Sequence, residues 1–315
     1  MTNHNQTSSR RGASSNPPQR PTRPNRPRRP KGGSWWTRWT AAPIAAVVIV
    51  VVTLVAITVA SGPTPRVSNL TVGTSSNSGT GAALGTGAAL GTGAVPASAS
   101  VQAAVTSVSQ STLRTVGTPA GLVGPTKITG RQAPLVGVDG KPEVLYVGAE
   151  YCPYCAAQRW ALTVALSHFG VFAGLGTTHS SSSDIDPDTS TLSFYGSTYT
   201  SPVLDFVAVE LSTNQVVEGR YPTLQRLTSA QQSLLDTYDR SPYTSAPGAI
   251  PFVDIGNRSV MIGASYDPAV LQGKSSEQIA GALSHPSTAI AQAVDGTANL
   301  LVAAISNATG LRASS

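Results

Sequence analysis

Polar residues crowd the start of the chain and apolar ones follow in blocks. Residues 1 to 34 are Asn, Gln, Ser, Pro and Arg with almost nothing apolar. Such a segment buries too little surface to offset its ordering entropy, so residues 1 to 40 are expected to form a disordered basic tail. Ala41 to Ala60 then reads AAPIAAVVIVVVTLVAITVA, twenty residues without a charge. At about 1.5 Å per residue it matches the roughly 30 Å hydrocarbon core of a bilayer, which predicts a transmembrane helix. Trp35, Trp36 and Trp39 sit at its N-terminal edge with nine Lys and Arg on the same side. Aromatic anchors and the positive-inside rule make the tail cytoplasmic and everything after residue 60 extracytoplasmic. A cleaved signal ending at Thr58-Val59-Ala60 and a buried core helix are the other readings; the long leader and long apolar run favour an uncleaved anchor.

Residues 61 to 114 are rich in Gly, Ala, Ser and Thr, and Gly79-Thr80-Gly81-Ala82-Ala83-Leu84 recurs at 85 to 90 and, altered, at 91 to 96. Three short units without aromatics do not build a solenoid, so a flexible tether is expected. From about residue 115 the pattern becomes globular. Val144 to Val147, after the Asp139-Gly140 turn, reads as a buried strand. Ala157, Trp160, Ala161, Val164 and Phe169 follow helical spacing until Gly170. Pro202 to Val209 is strand-like, Thr228-Ser229-Ala230-Gln231 has capping-box spacing, and Ile250 to Ile255 leads through Gly256-Asn257 to a short strand, Ser259 to Ile262. Helical stretches at Ser276 to Leu283 and about Ser287 to Asn307 close the chain. The expected architecture is α/β, with residues 115 to 310 as one domain and an inserted segment at about 175 to 245, preceded by a single transmembrane helix and a disordered tether.

The formal charge of +6 belongs to the tail: beyond the apolar run 12 Lys and Arg face all 15 acidic residues, the first of which is Asp139. The folded part therefore offers no basic footprint for nucleic acid.

The 2 cysteines of the chain stand in Cys152-Pro153-Tyr154-Cys155, too few for a disulfide framework or a four-thiolate zinc site. A Cys-x-x-Cys that opens a helix after a buried strand puts the first sulfur beside unpaired backbone N–H groups, which favours thiolate. Cys152 is then the expected nucleophile and Cys155 the resolving thiol.

Ala149-Glu150-Tyr151-Cys152-Pro153-Tyr154-Cys155 resembles the strand-to-helix junction of thioredoxins, and Cys-Pro-Tyr-Cys resembles the glutaredoxin active site. Ile250-Pro251, followed by two strands around Gly256-Asn257, resembles the cis-proline that faces the dithiol in that superfamily. The wider phrase Tyr146 to Trp160, with Phe194-Tyr195-Gly196-Ser197, resembles the thioredoxin-like domain of unknown function 929. The resemblance implies a thioredoxin-like fold, covers roughly residues 115 to 310 and supplies no substrate. One departure is notable: the buried acid that thioredoxins carry six residues before the first cysteine is Tyr146 here. Glu150 is the nearby carboxylate that could take a proton from Cys155, or be a solvated loop residue.

These readings lead to a membrane-anchored extracytoplasmic thiol-disulfide oxidoreductase. Its catalytic residues would be Cys152 and Cys155, and its site would be shaped by Pro251, Ile250, Pro153, Tyr154 and Glu150. Its partners would be extracytoplasmic protein thiols or disulfides, with no cofactor, no metal and no nucleic acid. The alternative is a tethered, non-catalytic binding or scaffold module with a structural disulfide. His168 and His179 are the nearest candidates to extend a metal site; His168 is better explained as a helix C-terminal residue. Asp184, Asp186 and Asp188 alternate as in a calcium loop, but Thr189 and Tyr195 occupy the positions that need Gly and Glu. Serines 180 to 183 lack the companions of a nucleophilic triad. The Tyr-rich insertion, with Tyr195, Tyr199 and Tyr221, is expected to flank the site and select the partner.

Overall fold

The computed structural model describes residues 93–311. In chain order the elements are β1 (Val95–Pro96), α1 (Ala99–Thr106), α2 (Gln110–Val116), β2 (Thr126–Lys127), β3 (Glu143–Gly148), α3 (Pro153–Ser167), β4 (Val171–Ala173), β5 (Gly176–His179), β6 (Ser190–Ser193), β7 (Thr198–Thr200), β8 (Asp205–Glu210), α4 (Ser229–Tyr238), β9 (Phe252–Ile255), β10 (Ser259–Ile262), a 3-10 turn at Pro268–Leu271, α5 (Ser276–Ala282) and α6 (Ala289–Thr309).

Five strands form the central sheet in the order β2-β10-β9-β3-β8. β3 and β8 run parallel, joined through α3, while β9 and β10 form an antiparallel hairpin against β3. A parallel β-α-β unit followed by an antiparallel hairpin and a closing helix is the thioredoxin-like arrangement. Both faces of the sheet are covered, which explains why β3 is a continuous apolar run rather than an alternating one. Its pleat divides the residues: Val144 and Tyr146 join Val253, Ile255 and Met261 against α3 and α6. Leu145 and Val147 join Phe252 and Val260 against Tyr238 of α4.

Within 175–245 the chain makes two excursions separated by β8, which belongs to the central sheet. The first carries β5, β6 and β7, which with β1 and with β4 just ahead of the segment form two small sheets, β1-β5-β6 and β4-β7. There β6 lies on α3, where Trp160 Nε1 donates to Ser190 O at 3.0 Å and Thr191 Oγ1 to Ala156 O at 2.8 Å.

Part of the segment expected to be a tether is folded. Ser98 and Ser109 cap α1 and α2, accepting from Val101 N and Thr112 N, and Val101, Val105 and Leu113 are buried in the main core. Asn299 of α6 donates to Leu113 O and Gly117 O at the end of α2. Small residues around a few valines, which resemble a linker in composition, here form two capped helices.

The membrane-span expectation is corrected. The stretch Ala41 to Ala60 lies outside the described residues. Among the described residues, the one helix long and apolar enough to cross a membrane is Ala289–Thr309, at the far end of the chain rather than ahead of the fold. Its apolar residues Ile290, Val294, Ala298, Leu301 and Ile305 recur at helical spacing and line the core against α3 and β9, so its hydropathy reflects core packing. The single-pass topology with a cytoplasmic N terminus and an extracytoplasmic domain falls with the same finding, because the span-length helix follows the dithiol and is integral to the fold.

Candidate functional site

β3 ends at Gly148, and four residues later Cys152 is the N-cap of α3, with Pro153 in the first turn. Proline suits that place because its missing N–H would be unsatisfied there in any case. Cys152 takes the part usually played by Ser or Asp: its Sγ accepts from Cys155 N at 3.3 Å. The thiol also points at the loop that enters β9, donating to Ile250 O at 3.7 Å. Ile250-Pro251 is a cis peptide bond, and Pro251 O accepts from Gly263 N at 2.8 Å, which fixes this corner to the end of β10. The structure thus brings together Cys152, Pro153, Tyr154, Cys155, Ile250 and Pro251.

Both cysteines are free thiols. Cys152 is 4% exposed and Cys155 fully buried, and their environments push the two ionisations apart. The hydrogen bond with Cys155 lowers the Cys152 pKa from its ordinary value, aided by backbone N–H groups and the positive charge of Arg159. Burial, then the hydrogen bond and charge of Cys152, raise Cys155 well above the ordinary thiol range. Tyr154 is 40% exposed and lines a groove of about 530 Å³ with Ile250, Ala249, Val123, Ala264 and Tyr266.

Glu150 is not a solvated loop residue. It is completely buried: its N–H donates to Ser212 O at 3.0 Å and its Oε1 accepts from Ser193 Oγ at 2.6 Å. Its Oε2 lies 3.6 Å from Arg159 Nη2. Arg159, also fully buried, donates from Nε and Nη2 to the two carboxylate oxygens of Glu210, each at 2.8 Å, and from Nη2 to Ala149 O. Burial pushes the Glu150 carboxyl up to about 7, against the opposing pull of Arg159. Tyr146, in the position of the acid that thioredoxins carry, turns its ring toward the same guanidinium, 6.0 Å from centroid to carbon.

Sequence reading missed Arg159 as a site residue and missed Glu210 altogether. An arginine within the apolar run of α3 was the available signal, since a buried guanidinium needs a carboxylate. Nothing in the spacing told which one. Of the three tyrosines of the insertion, Tyr221 reaches the site, stacking on Tyr151 at 4.2 Å and donating to Ser181 Oγ at 2.7 Å. Tyr199 instead donates to Leu166 O and packs on Phe172 and Phe206, and Tyr195 is half-buried.

His168 is the C-cap of α3, with burial lowering its pKa. Among the described residues no group of three or more His, Cys, Asp or Glu side chains is placed to hold a metal ion. Asp184 and Asp188 belong to a turn in which Asp184 Oδ1 accepts from Ile185 N and Asp188 N donates to Ser181 O.

Residues 135–307 match the model of the family described as Domain of unknown function (DUF929). No curated protein and no solved structure matches the chain.

Proposed function

The chain belongs to the DUF929 family, and from the geometry of its dithiol we propose that it is a thiol-disulfide oxidoreductase acting on protein thiols and disulfides. The observation that carries this reading is the Cys152 Sγ at the N terminus of α3, accepting the Cys155 N–H, with the more basic Cys155 buried directly behind it. A thiolate is the nucleophile of disulfide exchange, and a helix N terminus supplies the partial positive charge that stabilises it.

In the reductive direction the Cys152 thiolate attacks one sulfur of a partner disulfide. A mixed disulfide forms and the other partner sulfur leaves as a thiolate, which takes up a proton. Cys155 then loses its proton and attacks the Cys152 sulfur, forming the Cys152–Cys155 disulfide and releasing the second partner thiol. Two electrons and two protons pass from the dithiol to the partner; the reverse sequence oxidises a partner dithiol. No cofactor enters either direction. Ile250 and Pro251 bound the approach to the Cys152 sulfur, and the adjoining groove at Tyr154 offers apolar surface to the segment flanking a partner cysteine. Tyr221, stacked on Tyr151, brings the inserted region beside the residue that precedes Cys152.

Single-cysteine variants test the reading. Cys152→Ser should abolish disulfide exchange, and Cys155→Ser should accumulate mixed disulfides that a reducing gel resolves. Full activity in both variants would overturn it.

A further inference from the structure

The buried Glu150–Arg159–Glu210 cluster holds two carboxyl groups and one guanidinium, an unbalanced set in a place closed to water. Resting on the oxidoreductase reading above, we propose that this cluster is a charge switch beneath the dithiol: the proton on Glu150 decides whether the cluster is neutral or carries a surplus negative charge facing the cysteines.

The geometry distinguishes the two carboxyl groups. Glu210 is fully matched, with both oxygens held by Arg159 at 2.8 Å. Glu150 is the odd member: Oε1 accepts a hydrogen bond from Ser193, but buried Oε2 accepts none and has only the 3.6 Å approach of Arg159. A carboxylate with one oxygen unsolvated is costly, and a protonated carboxyl relieves that cost. With Glu150 protonated, Arg159 and Glu210 cancel. With Glu150 ionised, one negative charge remains.

The cluster reaches the dithiol along the helix that carries it. Arg159 lies two turns into α3 from Cys152, and its nearest backbone contact, Ala149 O, belongs to the loop leading to that cysteine. Its charge favours thiolate at both cysteines, whereas that of Glu210 opposes it at Cys155. The groups facing Glu150 are Arg159 on α3, Glu210 on β8 and the neutral Ser193 on β6; the dithiol senses the cluster through Arg159 and Glu210. Burial displaces the Glu150 ionisation to about 7. Rising pH therefore has two opposed effects: it deprotonates Cys152, and through Glu150 it makes that deprotonation harder. Glu150 acts as a positioning residue for charge, without receiving a proton from the thiol.

Alkylation of Cys152 by iodoacetamide in the reduced full-length protein, followed from pH 5 to 10, reads the thiolate directly. The wild-type profile should break near pH 7 in addition to the ionisation of Cys152. Glu150→Gln, which keeps an acceptor for Ser193, should remove that break and raise the rate above it by about threefold or more, the order expected for removing one charge from a buried cluster. Glu210→Gln should leave Arg159 to Glu150 and move the break to lower pH. A merely structural role would shift none of these inflections. A wild-type profile with a single ionisation, or superimposable profiles for wild type and Glu150→Gln, would overturn the switch. Disulfide exchange measured on the same samples separates the two readings: normal exchange with no break sinks the switch alone, and a break without exchange sinks the oxidoreductase reading alone.

Discussion

At the residue scale the site depends on close approaches that the chain secures with small or unusual residues. Gly148 is one. A Cβ there would overlap the Tyr146 hydroxyl, and neither β3 nor the packed ring can give way, because Tyr146 is held edge-on against Phe194 at 5.3 Å. Overpacking of this kind costs about 1–3 kcal/mol. Gly148→Ala should lower the urea midpoint accordingly, and adding Tyr146→Phe should recover part of the loss. Tyr146→Phe alone should be neutral or stabilising, since it removes a buried hydroxyl without a hydrogen-bond partner. An unchanged midpoint in Gly148→Ala would contradict the packing described. The residues named by motif, Cys152, Cys155, Ile250 and Pro251, were legible because their spacing encodes a local turn or a strand start. Arg159 and Glu210 were not, because a pairing across 51 positions of chain leaves no periodic trace and is decided only when β8 lies parallel beside β3.

At the element scale the helix-strand alternation after residue 143 could be read from period and caps, including the capping box at Thr228 and Gln231. The N-terminal pair α1 and α2 could not be separated from the Gly, Ala, Ser and Thr run that precedes it, although Ser98 and Ser109 stand at capping positions and Val101 and Val105 are one helical turn apart. Composition outweighed those local signals. Val105 is fully buried in the main core, so Val105→Ala should destabilise the protein by about 1–3 kcal/mol in chemical denaturation. If residues 93–117 were only a tether, the same substitution would leave the transition where it was. The last helix gives the converse lesson. Its apolar stripe is long enough to suggest a membrane span, yet Asn299 and the buried face show what it serves, the docking of α2 and the cover of the sheet.

For the whole molecule, buried carboxyl groups set how stability varies with pH. Burial raises Glu150 from 4.5 and Asp254 from 3.8, each to about 7. Between roughly pH 4 and 7 the unfolded chain has released these protons while the folded protein keeps them, so the folded state binds more and stability falls as pH rises through that window. Urea midpoints should be higher at pH 5 than at pH 7.5, and Asp254→Asn, which keeps an acceptor for Asn257 N, should flatten the slope. Midpoints that climb over that interval would show that these groups are ionised in the folded protein. The same fold gathers the dithiol, the Ile250-Pro251 corner and the buried charge cluster at one end of β3, so the proposed activity rests on the dithiol. The reduction potential of the full-length protein, equilibrated in thiol-disulfide buffers and scored by alkylation and mass, reads whether that pair exchanges. A value between roughly −120 and −270 mV is predicted for an exchanging pair, whereas a bond that forms and then resists reduction below roughly −300 mV would mark a structural disulfide and contradict the account.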